Sequence, residues 1–147
     1  MLTYLYLDYG GHARYRQELK YSLISLKAEA GGSQIVIYTD SPATYRLWPV
    51  TTVPIAGKLK AWSGGGLYYH RIKPEVVRDA LTRFAGPVCL LDSDSIIRPG
   101  FAAELAAKIT DTVVMNSLNA KIPIRRFRVS VANCHASAIT ITMCAKA

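Results

Sequence analysis

The chain has 147 residues, of which 50% are hydrophobic and 19% charged, at a mean hydropathy of +0.14; this composition excludes a disordered or collagen-like chain and predicts one globular domain, or part of a larger one. Apolar runs such as Pro87 to Leu91 are far shorter than the roughly 20 residues that cross a bilayer. The apolar start Leu2 to Leu7 lacks a basic lead-in and is cut by Asp8, unlike a signal peptide, so the cytoplasm is the expected location. The net charge of +8 is uneven: residues 1–115 hold 13 basic and 10 acidic side chains, whereas residues 116–147 hold 5 basic and none acidic.

Leu2 to Leu7 is a β-rich run ending in Asp8-Tyr9-Gly10-Gly11, which predicts a strand and a flexible loop. From Ala13 to Ala28, Tyr15, Leu19, Leu23 and Leu26 recur at helical spacing, and Gly31-Gly32 stops the helix. Gln34 to Thr39 is a compact β-branched run that does not alternate with polar residues, as expected of a strand buried on both faces. The opening therefore predicts a βαβ unit.

Asp40-Ser41-Pro42 breaks the second strand, and Thr51 to Ile55 predicts a short third one weakened by Pro54. Residues 56–70 read as a long Gly-rich loop containing Lys60, Trp62, Tyr68, Tyr69 and His70, and such loops carry function more often than ordinary connections do. Pro74 is expected to open a helix with Val77, Leu81 and Phe84 on its inner face, closed by Gly86-Pro87. Val88 to Leu91 then reads as a central strand leading into Asp92-Ser93-Asp94, followed by an Ala-rich helix, Phe101 to Ile109, and a strand, Thr112 to Met115. This alternation predicts an α/β domain with a mostly parallel sheet flanked by helices.

Asp92 and Asp94 stand two apart immediately after a buried strand, so a period of two is expected to place both carboxylates on one side at its C-terminal edge. Open α/β sheets bind ligands there. Two hard oxygen donors suit Mg²⁺ or Mn²⁺, whose other positions are filled by water and diphosphate oxygens. Taken alone, DSD is equally compatible with a polar turn. Arg71 and Lys73, just before the helix expected to open at Pro74, are positioned to approach a diphosphate or to remain solvated. Trp62, Tyr68 and Tyr69 are candidates for stacking on a base or sugar, and His70 reads as a packing or capping histidine.

Three segments, YLYLDYGG at 4–11, QIVIYTD at 34–40 and CLLDSDSIIRPG at 89–100, resemble the GT-A family of nucleotide-sugar glycosyltransferases over residues 1–115, the last looking like the family's DxD element. The resemblance implies a Rossmann-like, GT-A-like sheet with an incomplete C-terminal part. It further implies base and ribose contacts at Asp8, Tyr9, Gly10, Thr39 and Asp40, with Asp92 near the ribose or metal and Asp94 on the metal. It also implies Mn²⁺ or Mg²⁺ as cofactor and a nucleotide-diphosphate sugar as donor, UDP-sugar by default, with the acceptor unassigned. Transfer requires a base for the acceptor hydroxyl. Beyond Asp94 the only carboxylates are Glu104 and Asp111, and the tail offers His135, so the acceptor half is expected to be missing.

Two rival readings stand beside this one. A haloacid-dehalogenase-type phosphatase uses the first Asp of DxD as nucleophile, but favours Thr or Val where Ile96 stands and places most of its domain after the motif. The other is a non-catalytic fragment or basic binding module whose DSD is a turn. Residues 116–147, with no Gly, Tyr, Trp or carboxylate, read as a basic tail or as an interruption of frame or domain near Asn116. Arg125, Arg126 and Arg128 allow weak contact with an anionic surface, and no motif for specific nucleic-acid readout accompanies them. Cys89, Cys134 and Cys144 support neither a disulfide framework nor a zinc site.

Overall fold

A computed structural model describes residues 1–108, together with the backbone of 113–114 and 126–127. Four strands, β1 (Thr3–Asp8), β2 (Gln34–Thr39), β3 (Thr51–Pro54) and β4 (Val88–Leu90), form one sheet. All its pairings are parallel, and the strand order is β3-β2-β1-β4. The helices are α1 (Ala13–Glu29), α2 (Leu59–Trp62), α3 (Ile72–Arg83) and α4 (Phe101–Lys108). The α/β class, the parallel sheet and the opening βαβ unit match the sequence expectation. Among the described residues no helix is long and apolar enough to cross a membrane.

The strands are buried on both faces because alternate residues feed two cores. Tyr4, Tyr6 and Ile37 pack with Leu19, Leu23 and Leu26 of α1 and Phe101 and Leu105 of α4. Leu5, Val36, Tyr38, Val88 and Leu90 pack on the other side with Ile72, Val76 and Ala80 of α3. Each fully buried leucine contributes about 1.5–3 kcal/mol relative to an exposed one, so these contacts hold the three layers together.

The sequence reading is corrected at several points. Tyr15 is 54% exposed, and buried Ser22 takes the inward place, sharing a 2.7 Å hydrogen bond with the hydroxyl of Tyr6. Helix α3 starts at Ile72, two residues before Pro74, because the first helical turn needs no intrahelical partner for its N–H groups and tolerates a proline there. Its innermost residues are therefore Ile72, Val76 and Ala80, while Val77, Leu81 and Phe84 pack at the margin of that core. The expected long loop at 56–70 is interrupted by α2 and ends in a 3₁₀ turn, Tyr69–Arg71.

Strands β5 (Val113–Val114) and β6 (Arg126–Phe127) form a separate antiparallel pair, which the reading of 116–147 as a tail did not anticipate. Asp111, His135, Cys134, Cys144, Arg125, Arg128 and the strand considered at 138–143 lie outside the described residues.

Candidate functional site

In the order β3-β2-β1-β4, the chain runs outward from β1 in both directions, so the crevice between β1 and β4 at their C-terminal ends is the switch point where open α/β sheets bind ligands. A cleft of about 970 Å³ opens there. That is at the upper end of the roughly 300–1,000 Å³ typical of small-molecule sites. It gathers Asp8, Tyr9 and Gly10 from the end of β1, Asp40 from the end of β2, Lys73 from α3, and Asp92 and Asp94 from beyond β4. Lys60, Tyr69 and His70 come from the Gly-rich segment. Of the expected ligand-facing residues, Thr39 and Arg71 are not on the wall. Thr39 is buried beneath it, and Arg71 is turned to Glu75, with Nε 3.5 Å from the carboxylate.

The floor is an ionic network centred on Arg16, which the sequence reading did not single out. Asp8 is only 5% exposed, and its Oδ2 accepts from Tyr45 Oη at 2.8 Å, Arg16 Nε at 3.2 Å and Thr39 Oγ1 at 3.4 Å. Burial, and then the bond to Asp8, push the Tyr45 phenol far up, so it remains a donor. Arg16 also reaches towards Asp40, 3.7 Å from Oδ1. Asp40 Oδ2 accepts the Gly10 N–H at 2.8 Å, which fastens the loop after β1 to the end of β2. Gly10 and Gly11 have φ of +81° and +71°, a left-handed pair that a residue with a Cβ adopts only with strain. Asp8 and Asp40 thus shape the cleft while lining it.

The DSD segment does not continue the strand. β4 ends at Leu90, Leu91 N–H makes one more bond to Leu5 O at 2.9 Å, and Asp92 O accepts from Ser95 N at 3.1 Å, closing a turn. The two-residue strand period therefore does not govern Asp92 and Asp94, although both reach the cleft. Asp92 Oδ1 is paired with Lys73 Nζ, whereas Asp94 is exposed and forms no ion pair among the described residues. Behind the turn, Ile97 N donates to Ser25 Oγ at 3.0 Å and Gly100 N to Glu29 Oε2 at 2.8 Å, so helix α1 fixes the stretch that carries DSD. Neither partner has a signature readable in sequence, since both contacts span more than 70 residues.

The Gly-rich segment is folded, not slack. Buried Ser63 accepts from Gly66 N at 2.9 Å and donates to Lys60 O at 3.2 Å, turning the chain back after α2. Tyr69 then lies nearly parallel to Tyr9, with ring centroids 6.2 Å apart, on one wall of the cleft. Burial raises the Tyr9 phenol pKa, partly offset by the Lys73 charge. Trp62 faces the other core, 6.5 Å from Tyr38, with Lys58 over its ring. Tyr68 is exposed and packs against His70, which lies at the cleft and not in a packed interior.

Among the described residues no group of three or more His, Cys, Asp or Glu side chains converges. Asp92 and Asp94 fit a hard cation that fills its remaining positions with water and phosphate oxygens, and do not fit a closed zinc site. Arg16 offsets one of the two floor carboxylates, Asp8 and Asp40, Arg14 pairs with Glu18, and Lys73 with Asp92, while Asp94 and Lys60 line the same cleft, so carboxylates outnumber cationic side chains by one. Compared with family models, curated proteins and solved structures, the chain shows no match.

Proposed function

We propose that the cleft binds a nucleotide-diphosphate sugar in the manner of the GT-A glycosyltransferases that its three segments resemble. The observation that carries this reading is convergence: the ends of β1 and β2 and the DSD turn after β4 meet in one nucleotide-sized cleft at the switch point of a parallel sheet. In this reading the base and ribose lie along Tyr9, Gly10 and Asp40, with Tyr69 offering a stacking face, and the diphosphate lies between Lys73 and the DSD turn.

The excess of carboxylate charge in the cleft favours a cation arriving with the ligand. A diphosphate adds more negative charge than Lys73 and Lys60 can neutralise. Asp94, with Asp92, would hold Mn²⁺ or Mg²⁺ there, and the bound ion would stabilise the charge on a departing diphosphate. Lys73 orients the phosphates, and Arg16 reduces the repulsion that Asp8 and Asp40 exert on them. The activity proposed is donor binding, with transfer to an acceptor as the chemistry it serves.

Asp94→Asn tests the reading. The side chain is exposed, so the variant should fold as the wild type does by circular dichroism while losing the Mn²⁺-dependent part of UDP affinity, about tenfold or more. Unchanged Mn²⁺-dependent affinity would remove DSD from the site.

A further inference from the structure

At the opposite end of the sheet from the cleft, where β2 and β3 begin, an apolar groove of about 400 Å³ runs between the second half of α1 and residues 48–50. Its floor is Leu23, Ile35, Trp48 and Val50, which pack on the core beneath. Its rim stands in solvent: Ile24 is 59% exposed, with Tyr21 one turn before it on α1, and Leu47, beside Trp48, is 87% exposed. The backbone holds Leu47 out. Trp48 N donates to Tyr45 O at 2.9 Å, closing a turn with Leu47 at its tip, and Tyr45 is itself anchored on Asp8. A wedge fixed in this way loses little freedom when it is covered.

The charge around the groove is of one sign. Lys27 lines it, Lys20 stands on the same face of α1 two turns earlier, and Arg46 directly precedes Leu47. All three are exposed and form no ion pair among the described residues, and no described carboxylate lines the groove. The half-buried Trp48 makes no hydrogen bond through its indole N–H among the described residues.

We propose that this face docks on an anionic lipid surface, with Leu47, Ile24 and the Trp48 indole at the headgroup boundary and Lys20, Lys27 and Arg46 on the lipid phosphates. The charges select this occupant. A second copy would set three unpaired cations against three more, whereas an anionic bilayer attracts all of them and takes up an apolar tip without a matching surface. Lysine stems lie along the apolar wall while their ammonium groups reach the phosphates. Trp48 suits the same boundary, being an apolar ring with a donor at its edge. Because groove and cleft lie at opposite ends of the strands, docking leaves the cleft open.

The test is co-sedimentation of the full chain with vesicles of phosphatidylcholine alone and with about one-third phosphatidylserine. Wild type should bind the mixed vesicles and not the neutral ones, and added salt should release it. Leu47→Ser and the double variant Lys20→Gln/Lys27→Gln change exposed side chains only, so both should keep the wild-type Tm. Leu47→Ser should weaken vesicle binding about tenfold, and the double variant about fivefold for each charge removed. Arg78→Gln removes an exposed cation from α3, on the other face of the sheet, and should bind as wild type does. If Leu47→Ser and the double variant bind as wild type does, the groove is not the docking face and any vesicle binding belongs to basic residues elsewhere. Equal losses in Arg78→Gln and Lys27→Gln would reduce the interaction to net charge and overturn the proposal. Folded wild type that binds neither vesicle would overturn it outright, and a dimer that Leu47→Ser abolishes would assign the face to a second copy instead.

Discussion

Replacing Arg16 by Met removes the side chain that spans the two carboxylates of the cleft floor, and its cost follows from the geometry. The guanidinium donates to Asp8 Oδ2 at 3.2 Å and lies 3.7 Å from Asp40 Oδ1. At 3.2 Å the Coulomb attraction is about 1 kcal/mol in bulk water and about 5 kcal/mol at an effective dielectric near 20. Arg16 is 22% exposed and Asp8 4%, so the pair sits between those limits. Part of the attraction is offset by the desolvation of both ions. Asp8 keeps its bonds from Tyr45 and Thr39, which moderates the loss. The expected destabilisation is about 2 kcal/mol, the scale of a lost hydrogen bond to a charged group with its partner left buried. Urea denaturation with an unchanged m-value should register it, together with a fall in Tm of roughly 6 °C. Arg16→Lys should recover part of the loss, since it restores the charge but not the fork that reaches both carboxylates. A change under about 0.5 kcal/mol in Arg16→Met, the range of ordinary surface substitutions, would refute the claim that Arg16 organises the floor.

Three further outcomes follow from other parts of the fold. Asp79 accepts from Arg83, Lys58 and Tyr38. Burial pushes its carboxyl up, but those hydrogen bonds outweigh burial and hold it below the ordinary value of 3.8. A depressed acid stabilises the fold above its unfolded pKa and loses that contribution as pH falls through the folded one, so wild type should lose stability more steeply below about pH 4 than Asp79→Asn does. At pH 7 Asp79→Asn should be less stable by about 1–3 kcal/mol in denaturant titrations. Gly86→Ala places a Cβ 2.8 Å from the Met1 carbonyl oxygen at a φ of +94°, and thermal melts should show a loss of about 1–3 kcal/mol. Tyr69→Ala should weaken UDP binding by a few-fold to tenfold, the scale of about 1 kcal/mol for a lost aromatic stack, without lowering Tm; equal affinity would take Tyr69 off the ligand.

The architecture was legible because its signals are local. Gln34–Thr39 and Val88–Leu90 announce buried parallel strands by uninterrupted apolar runs, and Gly31-Gly32 and Gly86-Pro87 mark the helix ends next to them. The cleft was legible as far as it depends on strand ends, which is why Asp8, Tyr9, Gly10, Asp40, Asp92 and Asp94 meet there, with Lys73 reaching it from the first turn of α3. Arg16 was not legible, since in sequence it is one more cation on the outer side of an amphipathic helix; only the packing of α1 against β1 turns it towards Asp8 and Asp40. Ser25 and Glu29 were hidden for the same reason, their partners lying more than 70 residues away. The strand-period argument for DSD failed because period two applies only while the strand continues, and the chain turns at Asp92. Likewise Pro74 misplaced the start of α3, because proline is tolerated throughout the first turn.

The most direct test of the central claim is calorimetric titration of UDP and GDP into the full chain, with Mn²⁺ and with EDTA. The account predicts saturable one-site binding of a nucleoside diphosphate that Mn²⁺ tightens by about tenfold or more, as a cation shared between carboxylates and phosphate oxygens requires. A folded chain that binds neither nucleotide with Mn²⁺ would contradict it and leave DSD as a surface turn.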